Sequence, residues 1–485
     1  MPDYFRLFLC LVLLVIAGLT LPCNSQENQS DIQKFIRLDG SHITCAELLS
    51  SYLQIPSVSG HEKEAGEFLR SVCQQNGLVI TDLGNEEGNY NFAASLYPLE
   101  NKRPNIILLN HIDVVPAGEV SKWDYPPYDG RIVNGEIWGR GALDMKGIAV
   151  AQLEGLLRFK SELNGSDFEN NVTFLAVSAE EVISESGASY VVGKYLDLLN
   201  PVAVFCEGPT GMNNIVAADK EQIVFGISVS DKKPLRINIR LTNNTFAHGA
   251  SAPENYAGKD LTLALGRLLS SKSKMIYNST NITMLRELGK MEKGITGFVM
   301  RHPVIFKPLI SVKVLNDPRL KIFFSNTITL IDYITVSHSA NSIPQSIECR
   351  LDCRLMPEQD IFDFIGSVRE KINNEEVELV LVDSLPGAKP SPTNNDFYRQ
   401  YSDAIIKSNP SAKVVPAIIP GYSDCIQFRQ KGIPAYGSNP FLLSMELLET
   451  IHNINERIPV SSLYSGAGVY YSFLVNVWKN HDWSN

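Results

Sequence analysis

A histidine and an aspartate two residues apart, His111 and Asp113, close an apolar run of strand length over residues 105–109. On a continuing strand, side chains two apart leave the same face. In such a pair the carboxylate fixes the imidazole and raises its basicity, while the other ring nitrogen is left to bind a metal ion. A second apolar run, 172–177, empties into S-A-E-E, with Glu180 and Glu181 adjacent. In bare solvent two neighbouring glutamates are a charged loop; opposite a metal they can divide the work, one binding and one accepting a proton from water. A third run, Pro201–Cys206, ends at Glu207-Gly208-Pro209, again a carboxylate at a strand end. Cys206 points to the opposite face, which is core. Asp144 sits in G-R-G-A-L-D-M-K-G, where Gly139, Gly141 and Gly147 let the backbone turn tightly before a helical run.

Strands deliver most of these groups, and open α/β sheets carry their sites at the carboxyl ends of strands. The periodicity predicts a helix over 30–54, a turn at I-P-S-V-S-G-H-E, a helix Lys63–Gln75, strands over 77–83 and 90–96, and a helix over 149–159. His61 reads as a turn or cap residue. From about Gly226 the stretch I-S-V-S-D-K-K-P-L-R-I-N-I-R-L-T alternates with period two, as a half-exposed antiparallel strand does. A helix near 258–270, strands over 328–337 and 346–354, a helix over 358–372 and a strand over 377–382 complete a β-α-β-β-α-β order, a small α+β lid inserted in a larger α/β domain. Residues 271–326 exceed what such a lid requires and contain the helical run K-P-L-I-S-V-K-V-L. Beyond 384 come a helix over 397–408, a strand Lys413–Ile419 and T-I-H-N-I-N-E-R-I. If the last is helical, His452 and Glu456 share a face and Glu456 buttresses the ring.

The chain has 485 residues, which implies two domains, and 44% hydrophobic with 20% charged residues, a globular composition. A net charge of −10 offers no basic stripe and excludes a nucleic-acid partner. Residues 7–21 are nearly all apolar and precede a cleavage zone at 22–26, so 1–26 reads as a signal peptide, or as a signal anchor if retained. Either way the body is secreted or otherwise extracytoplasmic. Cys10 and Cys23 lie in that segment; Cys45, Cys73, Cys206, Cys349, Cys353 and Cys425 remain, with no C-x-x-C pair to form a thiolate zinc site. Cys349 and Cys353 are about 13 Å apart on one strand, too far for a mutual bridge. Other pairings stay open. Sequons stand at Asn28, Asn164, Asn171, Asn243, Asn278 and Asn281. His302 and His338 read as structural.

The string from H-I-D-V-V-P through Trp123 and Asp129-Gly130 to G-R-G-A-L-D-M-K-G resembles the M20 metallopeptidase family, the group of carboxypeptidases, aminoacylases and succinyl-diaminopimelate desuccinylases. The resemblance runs over roughly residues 54–473, and the long insertion is similar to that of the gly-X carboxypeptidase and N-acyl-amino-acid hydrolase branch. It implies a zinc-exopeptidase-like mixed sheet flanked by helices, with catalytic parts at 27–225 and 385–485 around a lid at 226–384. It implies His111, Asp144, Glu181, Glu207 and His452 as ligands of two Zn2+ ions with Asp144 shared between them, Glu180 as general base and Asp113 as the orienter of His111. The resemblance further implies that His248, in H-G-A-S-A-P, polarises the scissile carbonyl, in family members often in the neighbouring protomer's site. It also implies Asn341, Arg354 and Ser423 as substrate-binding residues, the arginine fork matching a free carboxylate. Cys425 stands where the family usually has alanine, and Asn453 where it has glycine. The implied function is hydrolysis of an amide next to a free-carboxylate amino acid, of carboxypeptidase or dipeptidase type. An aminoacylase or N-fatty-acyl amino-acid hydrolase would use the same site. The substrate is thus a peptide or N-acyl amino acid, a homodimer through the lid is open, and membrane attachment follows only from a retained N-terminal segment. A catalytically dead binding domain on this fold should have lost ligands or base, and none of the six positions is altered.

Overall fold

The computed structural model describes residues 34–84, 90–182, 185–243, 248–335 and 341–480; residues 1–26, expected to be a leader, and Asn28 and His338 lie outside them. Among the described residues the main sheet has nine strands. Its order is Gly211–Met212, Val224–Asp231, Ala435–Gly437, Pro201–Cys206, Asn105–His111, Asn171–Val177, Phe92–Ser95 and Val79–Asp82, with Lys413–Ile419 also paired to Val224–Asp231. Asn105–His111 lies parallel to both Asn171–Val177 and Pro201–Cys206, so three carboxyl ends open on one edge. Every residue of Asn105–His111 and Asn171–Val177 is buried, as in a sheet covered on both faces. Ile106 and Leu108 join one apolar cluster with the helices Lys63–Gln75, Lys146–Leu163 and Val460–Lys479; Ile107 and Leu109 join another with Ala188–Leu199 and Cys425–Gln430. Strand alternation thus sends successive residues into the two helix layers.

The N-terminal expectation, a helix over 30–54, holds only for its last third. Cys45–Leu53 is helical, opened by a capping box in which Thr44 accepts from Glu47 N and the Glu47 carboxylate accepts from Thr44 N. Residues before it instead form a hairpin, Ile36–Leu38 against Ser41–Ile43, with Asp39 and Gly40 both at positive φ (46° and 79°). The Asp-Gly turn chemistry outweighed the helical spacing of the apolar residues.

The strand expected across Gly226 to Thr242 is two strands in two sheets. Val224–Asp231 is buried throughout and belongs to the main sheet, whereas Lys233–Thr242 enters a separate four-stranded antiparallel sheet, ordered Thr327–Thr335, Ser346–Leu355, Lys233–Thr242, Val377–Ser384. Lys232 is the hinge residue. Its N–H donates to Ile419 O of the main sheet (3.1 Å), and its Nζ to Ser325 O and Thr327 Oγ1 (2.7 and 2.9 Å). Leu235, Ile237, Ile239 and Leu241 face the helices Ala257–Leu269 and Ile361–Ile372, giving this α+β lid its own core. The long insertion is helical over Ser279–Met291, Gly294–Arg301, Lys307–Asn316 and Pro318–Lys321, and the first three of these helices share a further small cluster that includes Ala417 of the main sheet.

Candidate active site

His111 is the last residue of its strand and is almost fully buried. Its Nδ1 lies 2.9 Å from the Asp113 carbonyl oxygen and 3.4 Å from that residue's carboxylate. A carbonyl can only accept, so Nδ1 carries the proton and Nε2 is turned to the site. Nε2 lies 3.1 Å from Asp144 Oδ1 and 3.7 Å from Glu207 Oε2. The other oxygen of Asp144, Oδ2, lies 3.1 Å from His452 Nε2, which also meets Glu181 Oε2 at 3.1 Å. Asp144 therefore gives one oxygen to each imidazole.

The Asp113 carboxylate does more than face the ring. It accepts from Ser59 Oγ (2.7 Å) and from the backbone N–H groups of Glu180 and Glu181 (both 3.2 Å). One buried carboxylate thus ties the histidine strand to both glutamates. The same loop is held from the other side by Glu62, which accepts from Ala179 N (3.2 Å) and is pushed up to about 7 by burial. Gly187 closes it. A Cβ there would sit 1.9 Å from Ser178 O, so no larger residue fits. At Asp144 the chain needs Gly141 at φ 89°, where a side chain would strike Val114 at 2.8 Å.

Glu456 does not buttress His452. The segment after helix Met445–Leu448 is a turn, with His452 itself at φ 59°, so the expected helical face does not exist. Glu456 is instead fully buried beneath the Asp144 loop. It accepts from Arg140 Nη1 (2.5 Å) and from the N–H groups of Gly141, Leu143 and Asp144 (2.9, 2.8 and 3.1 Å). Arg140 Nη2 also donates to Asn453 O (2.9 Å), beside His452. This pair positions the Asp144 loop and the His452 segment at once. Arg140 was in plain sight inside G-R-G-A-L-D, but its partner lay more than three hundred residues away.

Four carboxylates here titrate high. Burial pushes Glu207 up to about 8, with the charge of Asp144 adding to it. Burial, then Glu207, Asp424 and Glu181, hold Glu180 well above the ordinary range against the pull of His111. Glu181 is raised by burial and eased by His452. Asp424 is pushed by burial to about 7, and its Oδ2 is buried without a partner among the described residues. Asp144 goes the other way, since the two imidazoles outweigh its burial. His452 is raised to about 10 by its bonds to Asp144 and Glu181. Crowded, buried carboxylates of this kind repel one another and call for compensating positive charge. The ligand atoms of His111, Asp144 and Glu181 lie within 4.8 Å of one another, as do those of His111, Glu180 and Glu207. Imidazole and carboxylate donors at this density fit a divalent metal.

Asp144, Glu180, Glu181, Glu207 and His452 line a cavity of about 380 Å³. Its remaining wall is largely apolar, from Pro209, Met212, Phe323, Ile419, Leu448 and Ile451. The lid residues are elsewhere. His248 is exposed at the start of a short 3₁₀ turn, its Nδ1 accepting from Ala250 N (3.1 Å), and it is bridged to the Asn341 segment through Ser342 and through Gly249 N to Asn341 O (2.9 Å). Arg354 is engaged by Asp352 on its own strand (2.8 and 2.9 Å). None of the three lines the cavity. Ser423, expected to touch substrate, has no exposed surface and donates to Asp231 Oδ1 (2.8 Å), while Arg429 donates to the same residue's Oδ2. It ties the loop down. Two cysteines that the sequence left unpaired, Cys206 and Cys425, form a disulfide, joining the residue before Glu207 to the residue after Asp424. Cys45, Cys73, Cys349 and Cys353 are free and buried.

Comparison with known proteins identifies the family. The family model of peptidase family M20/M25/M40 matches residues 107–476. The chain belongs to that family, and is a hydrolase of the metallopeptidase and amidohydrolase class. It is 25% identical over 455 residues to the N-fatty-acyl-amino acid synthase/hydrolase PM20D1 of Bos taurus, covering 90% of this chain and 88% of that one. Among solved structures it is similar to the M20 family metallo-carboxypeptidase Sso-CP2 of Sulfolobus solfataricus, with TM-score 0.65, 21% identity, and 89% and 98% of the two chains covered. It is also similar to the YXEP protein of Bacillus subtilis, described as a dinuclear metal-binding peptidase, with TM-score 0.53, 15% identity, and 90% and 98% covered.

Proposed function

We propose that this protein is a di-zinc amide hydrolase that cuts beside an amino acid with a free carboxylate. The observation that carries the reading is Asp144, whose two oxygens face two different imidazoles. His111, Asp144, Glu181, Glu207 and His452 would hold the ions, and Bacillus subtilis YXEP, described as dinuclear, supports a pair. Once bound, the ions supply Lewis-acid polarisation of the amide carbonyl and of the attacking water. The protein's own chemistry falls to Glu180, which takes the water's proton on a carboxylate oxygen and returns it to the leaving nitrogen. Asp113 holds that carboxylate in place through the Glu180 N–H. His248, Asn341 and Arg354 reach the substrate in this reading only through movement of the lid or through the lid of a second copy. Secretion belongs to the same reading, supported by the apolar stretch 7–21 and by a disulfide, which persists in oxidising compartments.

The acyl side is the finer question. Met212, Phe323, Ile419, Leu448 and Ile451 favour an apolar group there, which brings N-acyl amino acids alongside dipeptides, in keeping with the activity named for the Bos taurus relative. The zinc-loaded protein, offered a panel of dipeptides and N-acyl amino acids of increasing chain length, should release a free amino acid fastest from those with apolar acyl groups. Release from neither class refutes the hydrolase reading; release from polar dipeptides alone refutes the assignment of the wall.

A further inference from the structure

The helical insertion turns an apolar face outward. Ile295 is 80% exposed, Ile305 73%, Val312 65%, Leu309 62% and Val304 58%, all within residues 295–312. Isolated exposed aliphatics are ordinary, but a run of this density on two consecutive short helices and the turn between them is not. Lys307–Asn316 shows the reason in its pattern: Ile310 and Val314 point into the insertion's own core, while Leu309 and Val312 point to solvent. A surface helix that is apolar on both faces has a second face to cover. Ile295, Leu309, Val312 and Leu320 line an open groove of about 660 Å³, with Lys313 on its wall.

Charge says what covers it. Residues 290–321 hold seven Lys or Arg side chains against two acidic ones, in a chain whose net charge is −10. Lys293, Arg301, Lys307 and Lys313 are exposed around the apolar residues. A second copy meeting this face about a two-fold axis would bring cations against cations. An anionic lipid surface offers the complement to both features, negative headgroups for the lysines and hydrocarbon for the aliphatics, with lysine stems spanning the two. The helices are too short to cross a bilayer, and no described helix is long and apolar enough to do so. They can lie only in its surface.

We propose that the insertion, through Ile295, Val304, Ile305, Leu309 and Val312 and their ring of lysines and arginines, docks this protein on an anionic phospholipid bilayer. The docked element also carries Phe323 to the cavity wall, so apolar substrates dissolved in the bilayer would be met by the element that borders the site.

The test is amide hydrogen exchange on the full chain, with vesicles of phosphatidylcholine alone and of phosphatidylcholine with phosphatidylserine. Exchange over 294–316 should slow on the phosphatidylserine vesicles and recover as salt is added. Ile305→Asp with Leu309→Asp should abolish that protection. Lys307→Glu with Lys313→Glu should weaken vesicle affinity about 10-fold or more. All four side chains are exposed, so both variants should keep the wild-type circular dichroism and hydrolytic rate on a soluble substrate. Unchanged exchange over 294–316 overturns the proposal even if the protein sediments with vesicles through its N-terminal segment. Protection without vesicles that disappears in Ile305→Asp/Leu309→Asp together with a dimer also overturns it, because a second copy then covers the face.

Discussion

Replacing Glu456 with leucine tests the idea that one buried carboxylate builds the Asp144 loop. In the wild type that side chain is 0% exposed, and Arg140 opposite it 2%. Removing one partner of a buried pair leaves the other charge uncompensated, at a cost of about 3–5 kcal/mol. Three backbone donors, at Gly141, Leu143 and Asp144, also lose their acceptor. Each orphaned N–H costs roughly 1–3 kcal/mol, though such losses overlap and do not add in full. Glu456→Leu should therefore lose at least ~4 kcal/mol, read as a lowered urea midpoint by tryptophan fluorescence. Metal affinity, measured by chelator competition, should fall about 10- to 100-fold, because Asp144 is no longer held. The double variant Arg140→Met/Glu456→Leu separates the two effects. With the stranded charge gone it should regain part of the stability, yet its metal affinity should stay low because the loop donors remain unanchored. Wild-type metal affinity in either variant, or full recovery of it in the double variant, refutes the reasoning.

Other outcomes follow from the same geometry. Glu180→Gln should keep its full metal content by mass spectrometry while turnover drops about 10²-fold or more; a near-normal rate would remove Glu180 as the base. His111→Ala should bind fewer metal ions per chain, and unchanged stoichiometry would take it out of the ligand set. Severing the Cys206–Cys425 link by Cys425→Ala should cost roughly 2–5 kcal/mol and loosen metal through the neighbouring Glu207; equal thermal midpoints with and without a reducing agent would refute the link. Lys232 sets a pH slope. Burial, then Arg354, lowers its pKa to about 7, whereas an unfolded lysine titrates near ~10.4. Between these values the unfolded chain binds more protons, so this residue's contribution to stability rises with pH from about 7 to about 10 and is lost as pH falls back to 7. Lys232→Met should flatten that rise, and parallel wild-type and variant curves across the window would contradict it.

Much of the site could be read before the fold was known because its residues punctuate strong local patterns. His111, Glu180 and Glu207 each lie at or just beyond the end of a mostly apolar run, and adjacent parallel strands of that kind end together. The lid's β-α-β-β-α-β order was legible for the same reason, since each element has a clean period. What escaped reading was long-range. Nothing near Glu456 in the chain announces Arg140, and nothing near Cys206 announces Cys425. The helical reading of 452–456 failed because spacing says which residues would share a face but not whether a helix forms there. The single strand drawn through Lys232 failed differently. Pattern distinguishes a wholly buried stretch from an alternating one, yet it does not mark where one sheet hands the chain to another.

That handover has a mechanical side. Because Val224–Asp231 runs into Lys233–Thr242 with a single residue between them, the lid has no slack tether on this side. Any swing of the small sheet must be absorbed as torsion at Lys232, whose amide grips one sheet while its ammonium grips the base of the other. Motion there would be a stiff rocking about one peptide, and a substitution at that point would change how far the lid travels without touching a group that meets the substrate.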